Sequence, residues 1–197
     1  MKIYLSPSLQ EKNIGVEGYG TEEKRMNELA DYVQQFLVNY GYEIFRNIPS
    51  MTLEEVVAES NRVKPNLHLA LHSNAFNGKA RGCEIFCYSK ESKGYKIAQE
   101  VYKYLEPLTP TADRGIKTNT LYETYTTTAP AILIEIAFHD NKDDALFIMN
   151  NMKAIALSIV NGINDYFGVD NVPNDYKQKY ENLLKDIKAL IKIYEGR

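Results

Sequence analysis

The chain of 197 residues holds only three histidines, His68, His72 and His139. His72 closes an apolar run over 67–72 and is followed by the polar Ser73-Asn74-Ala75. A histidine at a strand end projects into the crevice where α/β sheets place their ligands, and neutral imidazole there is a good zinc ligand. The alternative is a strand-end histidine satisfied by a hydrogen bond. Glu135 stands inside Ala131-Ile132-Leu133-Ile134-Glu135-Ile136-Ala137-Phe138. A carboxylate in a buried strand is costly unless it is paired, metal-bound or protonated. Beside a metal-held water it can act as general base; otherwise it is a structural ion pair, with Arg114 as candidate partner. Glu23 falls in the first turn of a helical pattern, where the macrodipole alone accounts for an acidic residue. His68 shares a strand face with His72, but four residues along a strand span about 13 Å, so one ion cannot take both. His68 is expected under a helix. Cys83 and Cys87, four apart, read as buried apolar filling.

The elements that must position these residues alternate along the chain. Strands are expected over 2–5, 42–46, 67–72, 83–88 and 131–138. Helices are expected from Thr21 to Gly41, from Thr52 to about Val63 with Glu55 completing a capping box, over 95–105 and over 143–167. This order predicts an α/β fold: a largely parallel, twisted sheet of about six strands with helices on both faces, plus a C-terminal helix. Residues 1–168 form the expected catalytic domain. Gly168, Pro173 and Asn174 mark a linker over 169–175, and 176–197 is an amphipathic, Lys-rich helical stretch.

Composition removes several classes. Hydrophobic residues make up 44% and charged residues 25%, enough for a real core. A net charge of −3 argues against a broad nucleic-acid surface. Two cysteines do not make a disulfide scaffold. No run approaches the roughly 20 apolar residues of a membrane span, and the start is too short for a signal segment, so synthesis in the cytoplasm is expected.

Taken together, these segments resemble the zinc-dependent N-acetylmuramoyl-L-alanine amidases of the type-3 family, peptidoglycan hydrolases that include phage endolysins. The resemblance covers about residues 1–167. His72-Ser73-Asn74-Ala75 resembles the family's His-x-Asn-Ala, whose histidine binds zinc. Gly82-Cys83-Glu84 resembles its Gly-x-Glu segment, and Arg114-Gly115-Ile116-Lys117 its Arg-Gly-x-Lys turn. The stretch from Pro130 through Glu135 to Asp144 resembles the segment that carries the catalytic Glu. Glu23 with Asn27 resembles the zinc-binding Glu of the first helix. The family's Gly-His after the first strand is missing: the chain reads Ser6-Pro7-Ser8-Leu9-Gln10. Gln10 is the expected replacement, a neutral and poorer ligand than imidazole. Glu22 is a lesser substitute, since adjacent helical residues point about 100° apart. Ala137 replaces a usual Gly.

The resemblance implies Zn²⁺ held by Glu23, His72 and Gln10, with Glu135 as general base. Asn74 and Arg114 are the substrate-binding candidates. The bond cut would be the amide between N-acetylmuramic acid and L-alanine, in the bacterial cell wall, after release by phage lysis or at sporulation. The C-terminal helix could carry a wall-binding module or a dimer contact. Two rivals stand beside this reading: an inactive muropeptide-binding pseudoenzyme, favoured by the missing histidine, and a zinc peptidase on another substrate.

Overall fold

A computed structural model describes residues 1–111, 114–170, 179, 182–185 and 187. The elements run β1 (Lys2–Pro7), α1 (Glu22–Asn39), β2 (Glu43–Arg46), α2 (Leu53–Val63), β3 (Leu67–Asn74), β4 (Glu84–Cys87), α3 (Lys93–Leu105), β5 (Ile116–Thr118), α4 (Tyr122–Thr126), β6 (Ala131–Phe138) and α5 (Lys142–Phe167). Much of the expected linker and C-terminal helix lies outside the described residues.

The strands form one six-stranded sheet in the order β2-β1-β3-β6-β4-β5. Four neighbouring pairs are parallel; β4 runs antiparallel to β6. Successive side chains of a strand leave opposite faces of the sheet, and here the two faces differ in kind. One face carries Ile3, Leu5, Leu67, Leu69, Leu71, Ile85, Ile132, Ile134 and Ile136 into a core with buried residues of α1, α3 and α5. The other carries Tyr4, Ser6, His68, His72, Glu84 and Glu135, and α2 and α4 cover part of it. All the chemistry is on this second face.

Local signals explain the helix ends. Thr21 caps α1 by accepting from the Lys24 amide at 3.2 Å. Thr52 and Glu55 form the expected capping box on α2, which stops at Lys64 in the left-handed conformation before Pro65. The apolar α5 is long enough to cross a membrane by length and composition, but it packs on α1 and α3. Gly162 makes that packing possible: a Cβ there would lie 2.4 Å from the Val101 Cα. Cys83 and Cys87 are both buried, as expected.

Candidate active site

Three strands and the helix α1 deliver the centre of the site. β3 and β6 pair in register with His72 opposite Glu135, and β4 pairs with Glu84 opposite the same Glu135. β3 shifts register between His72 and Asn74, so the strand bends as it leaves the site. α1 then presents a carboxylate to His72, but it is Glu22 rather than Glu23. The Glu22 Oε1 lies 2.8 Å from the His72 Nδ1, and Glu22 is 1% exposed. The reason is the helix face. The buried stripe of α1 is Glu22, Met26, Leu29, Ala30, Val33 and Leu37, and position 22 continues it one turn back. Glu23 falls off that stripe, half-buried; its backbone carbonyl accepts from the Asn27 side chain.

Glu22 is well supplied with donors. Asn13 Nδ2 donates to its Oε2 at 2.8 Å and also to the Gln10 Oε1 at 2.5 Å. Gln10 is therefore exposed but tied to Glu22 through Asn13. The loop holding Asn13 is itself fixed: Glu22 N–H donates to Asn13 O, and Val16 N–H to His139 O. His72 is thus linked to Gln10 through Glu22 and Asn13. Burial raises the Glu22 carboxyl, and the bonds from His72, Asn13 and Ser8 outweigh it and hold the group below the usual range.

Glu135 is the site's unsatisfied group. Its Oε2 is buried without a hydrogen-bond partner. Burial pushes its pKa up to about 7; His72 opposes this, and the charges of Glu22 and Glu84 add to it. Arg114, the alternative partner of Glu135, goes instead to Glu84 at 2.9 Å, with its guanidinium over the Phe138 ring. Asn74 also donates to Glu84, at 2.7 Å, and Lys117 contacts the same carboxylate. Both substrate-binding candidates therefore converge on Glu84, a buried acid beside Glu135.

A further residue was not foreseen. Glu123, on α4, accepts from Ser6 Oγ at 2.5 Å and pairs with the His68 Nε2 at 2.9 Å. Its Oε2 lies 3.6 Å from the His72 Nε2. Gln10, His72, Glu123 and Ser6 line one cavity of about 330 Å³. Burial raises Glu123, and His68 and His72 more than reverse this and hold it far below the ordinary carboxylate range. His72 sits between two carboxylates: burial would lower its pKa, but Glu123 and Glu22 push it up to about 10. His68 is buried beneath α2, bonded to Ser60 Oγ at 3.0 Å. His139 faces Ser73 Oγ at 2.9 Å and stacks on Tyr19.

Whether these residues suit a metal ion can be judged from their donors. Among the described residues, no three His, Cys, Asp or Glu side chains form a ready metal group. The candidate donors are the His72 imidazole, the Glu22 carboxylate in contact with its Nδ1, and the Gln10 amide oxygen tied to Glu22 through Asn13, with the unpartnered oxygen of Glu135 opposite His72 in register. That set fits a divalent cation with two strong donors, a weaker amide and a position left for water.

An α/β sheet that gathers an imidazole, an unpaired buried carboxylate and a cavity on one face has the parts of a hydrolase site. The chain belongs to the N-acetylmuramoyl-L-alanine amidase family, whose pattern matches residues 3–165. It is 32% identical over 126 residues to an uncharacterized cell wall amidase of Bacillus anthracis, over 59% of this chain. The chain spans 24% of the length of that relative. It is 27% identical over 150 residues to the N-acetylmuramoyl-L-alanine amidase LytC of Bacillus subtilis, covering 73% of this chain and 30% of that one. Its fold matches the catalytic domain of CwlV, an N-acetylmuramoyl-L-alanine amidase from Bacillus (Paenibacillus) polymyxa, with a TM-score of 0.79 at 21% identity, over 86% of this chain and 99% of that one. The catalytic domain of an endolysin targeting Clostridia Difficile matches with a TM-score of 0.72 at 26% identity, over 84% and 97% of the two chains.

Proposed function

We propose that this chain hydrolyses the amide bond between N-acetylmuramic acid and L-alanine in bacterial peptidoglycan, with Glu135 as general base and Zn²⁺ held by Glu22, His72 and Gln10. The observation that carries the reading is the unpartnered Glu135 oxygen, opposite His72 in register, in a chain of the amidase family. When bound, zinc lowers the pKa of a water toward ~7 and polarises the scissile carbonyl.

The chain's own residues supply the rest. Glu135, with a pKa near 7, takes a proton from the attacking water on its free oxygen and returns it to the leaving amine of L-alanine. The charge of Glu84 beside Glu135 favours proton uptake on Glu135. Arg114 and Asn74, anchored on Glu84, are set to contact the stem peptide or the developing oxyanion.

The test is digestion of purified peptidoglycan, scoring new L-alanine amino termini with and without a chelator. Release that stops on chelation and returns with zinc is the expected result. Release that survives chelation overturns the metal, and no release with added zinc overturns the hydrolase. One observation favours that last case, a muropeptide-binding chain without turnover: the site offers a single imidazole and no ready three-residue metal group among the described residues.

A further inference from the structure

The family reading leaves Glu123 without a task. It is a carboxylate 4% exposed on α4, a helix of five residues whose neighbours Tyr122 and Tyr125 face solvent. Burying such a charge is costly unless strong partners compensate it. The partners of Glu123 are unevenly shared. Its Oε1 takes both anchoring bonds, from Ser6 at the end of β1 and from His68 on β3. His68 is in turn fixed by Ser60 on α2 and by a stack on Tyr4, with ring centroids 5.4 Å apart. Two strands and a helix thus hold one oxygen still, and the other points at the His72 Nε2 across 3.6 Å. That distance is too long for a formed hydrogen bond.

The opposite nitrogen of the same ring is in direct contact with Glu22, at 2.8 Å. A cation cannot enter between Nδ1 and Glu22 at that separation: two donors of a tetrahedral zinc stand roughly 3.4 Å apart. Entry must widen the contact by about 0.6 Å, and because Asn13 holds the other oxygen of Glu22 at 2.8 Å, the ring is the partner taken to move. On its far side lies the gap to Glu123, which exceeds a bond of about 2.9 Å by a similar amount. The movement that admits the ion on one side therefore completes a hydrogen bond on the other.

We propose that Glu123 is the positioning carboxylate of His72: anchored by Ser6 and His68, it accepts the Nε2–H of the imidazole and so leaves Nδ1, on the Glu22 side, as the atom that binds the ion. The assignment rests on the metal reading of the site given above. It gives His68 and Ser6 a purpose, as the mounts of Glu123, and it places the outer carboxylate of the metal-binding imidazole on α4. An acceptor of this kind fixes both tautomer and ring angle, and its loss typically costs 10–100-fold in metal affinity.

The experiment uses the full chain labelled with ¹⁵N-histidine; with three histidines, single substitutions assign every ring signal. In the zinc-loaded wild type we expect His72 to carry its proton on Nε2 and the metal on Nδ1. Glu123→Gln keeps the size and an acceptor but removes the charge, and is expected to weaken zinc binding 10–100-fold by titration calorimetry. A merely structural Glu123 would lower the melting temperature without changing the tautomer of His72 or the affinity of the folded chain for zinc. Metal on Nε2, or unchanged zinc affinity in a folded E123Q chain, overturns the assignment alone. A wild-type chain that takes up no zinc overturns the metal reading and the assignment with it. Should E123Q fail to fold, the wild-type spectrum still decides the case.

Discussion

Glu135 combines two properties that pull against each other: its Oε2 has no partner, which suits a proton acceptor, and that same isolation makes its charge costly. Glu135→Gln should therefore lower turnover by about 10²–10⁴-fold, the usual share of a general base, while leaving zinc uptake in place. It should also change the metal-free chain in a defined pH window. The folded pKa of Glu135 is raised from 4.5 to about 7. A group so raised contributes stability that is present below about pH 4.5 and lost as pH rises through about 7. Denaturant midpoints of the wild type should fall relative to E135Q across that interval and run parallel above it. Equal slopes throughout would show that Glu135 ionises without cost. At Gln10 the expected change runs the other way. Gln10→His places an imidazole within reach of Asn13 and Glu22 and should tighten zinc binding; unchanged affinity would remove Gln10 from the ligand set.

Elements fix which residues can meet, and here the fit between α3 and α5 is set by one glycine. A methyl at Gly162 would drive into the backbone of Val101 at 2.4 Å. Gly162→Ala should cost about 1–3 kcal/mol despite its better helix propensity, read as a lower urea midpoint with the site's zinc affinity unchanged. The elements also mark how much the sequence disclosed. Glu135 stood out because a charge interrupts an apolar strand, and His72 because it ends one. Extending the stripe Met26, Leu29, Ala30, Val33 back four positions leads to Glu22, and the helix places it against His72, whereas the resemblance to Glu-x-x-x-Asn points to Glu23, which falls off that stripe. Glu123 was hidden for a different reason. Four Tyr and Thr residues around one Glu carry no helical period, so α4 left no trace in the pattern. The reversal of β4 was equally unreadable, since apolar alternation is the same in either strand direction.

At the scale of the molecule, the net charge conceals a concentrated acidic face. Glu22 and Glu123 are held below the usual carboxylate range by bonds that exist only in the folded chain. Such groups contribute stability that is present above about pH 4.5 and lost as pH falls through their folded values. Acid titration of the metal-free chain should show this loss, and the E123Q chain should lose less. The position of β6 in the sheet has a consequence for how the chain is made. Among the described residues β6 is the last strand in sequence, yet it lies between β3 and β4. Until it is synthesised, β2-β1-β3 and β4-β5 are two separate fragments with open edges. Contacts across the site, such as Ser73 with His139, join residues 66 apart. Loop closure over such distances makes a sheet of this kind slow to assemble. The strand that zips the halves together is also the one that brings Glu135. A nascent or truncated chain therefore lacks part of the proposed hydrolytic centre, and the proposed site is completed in the same event that completes the fold.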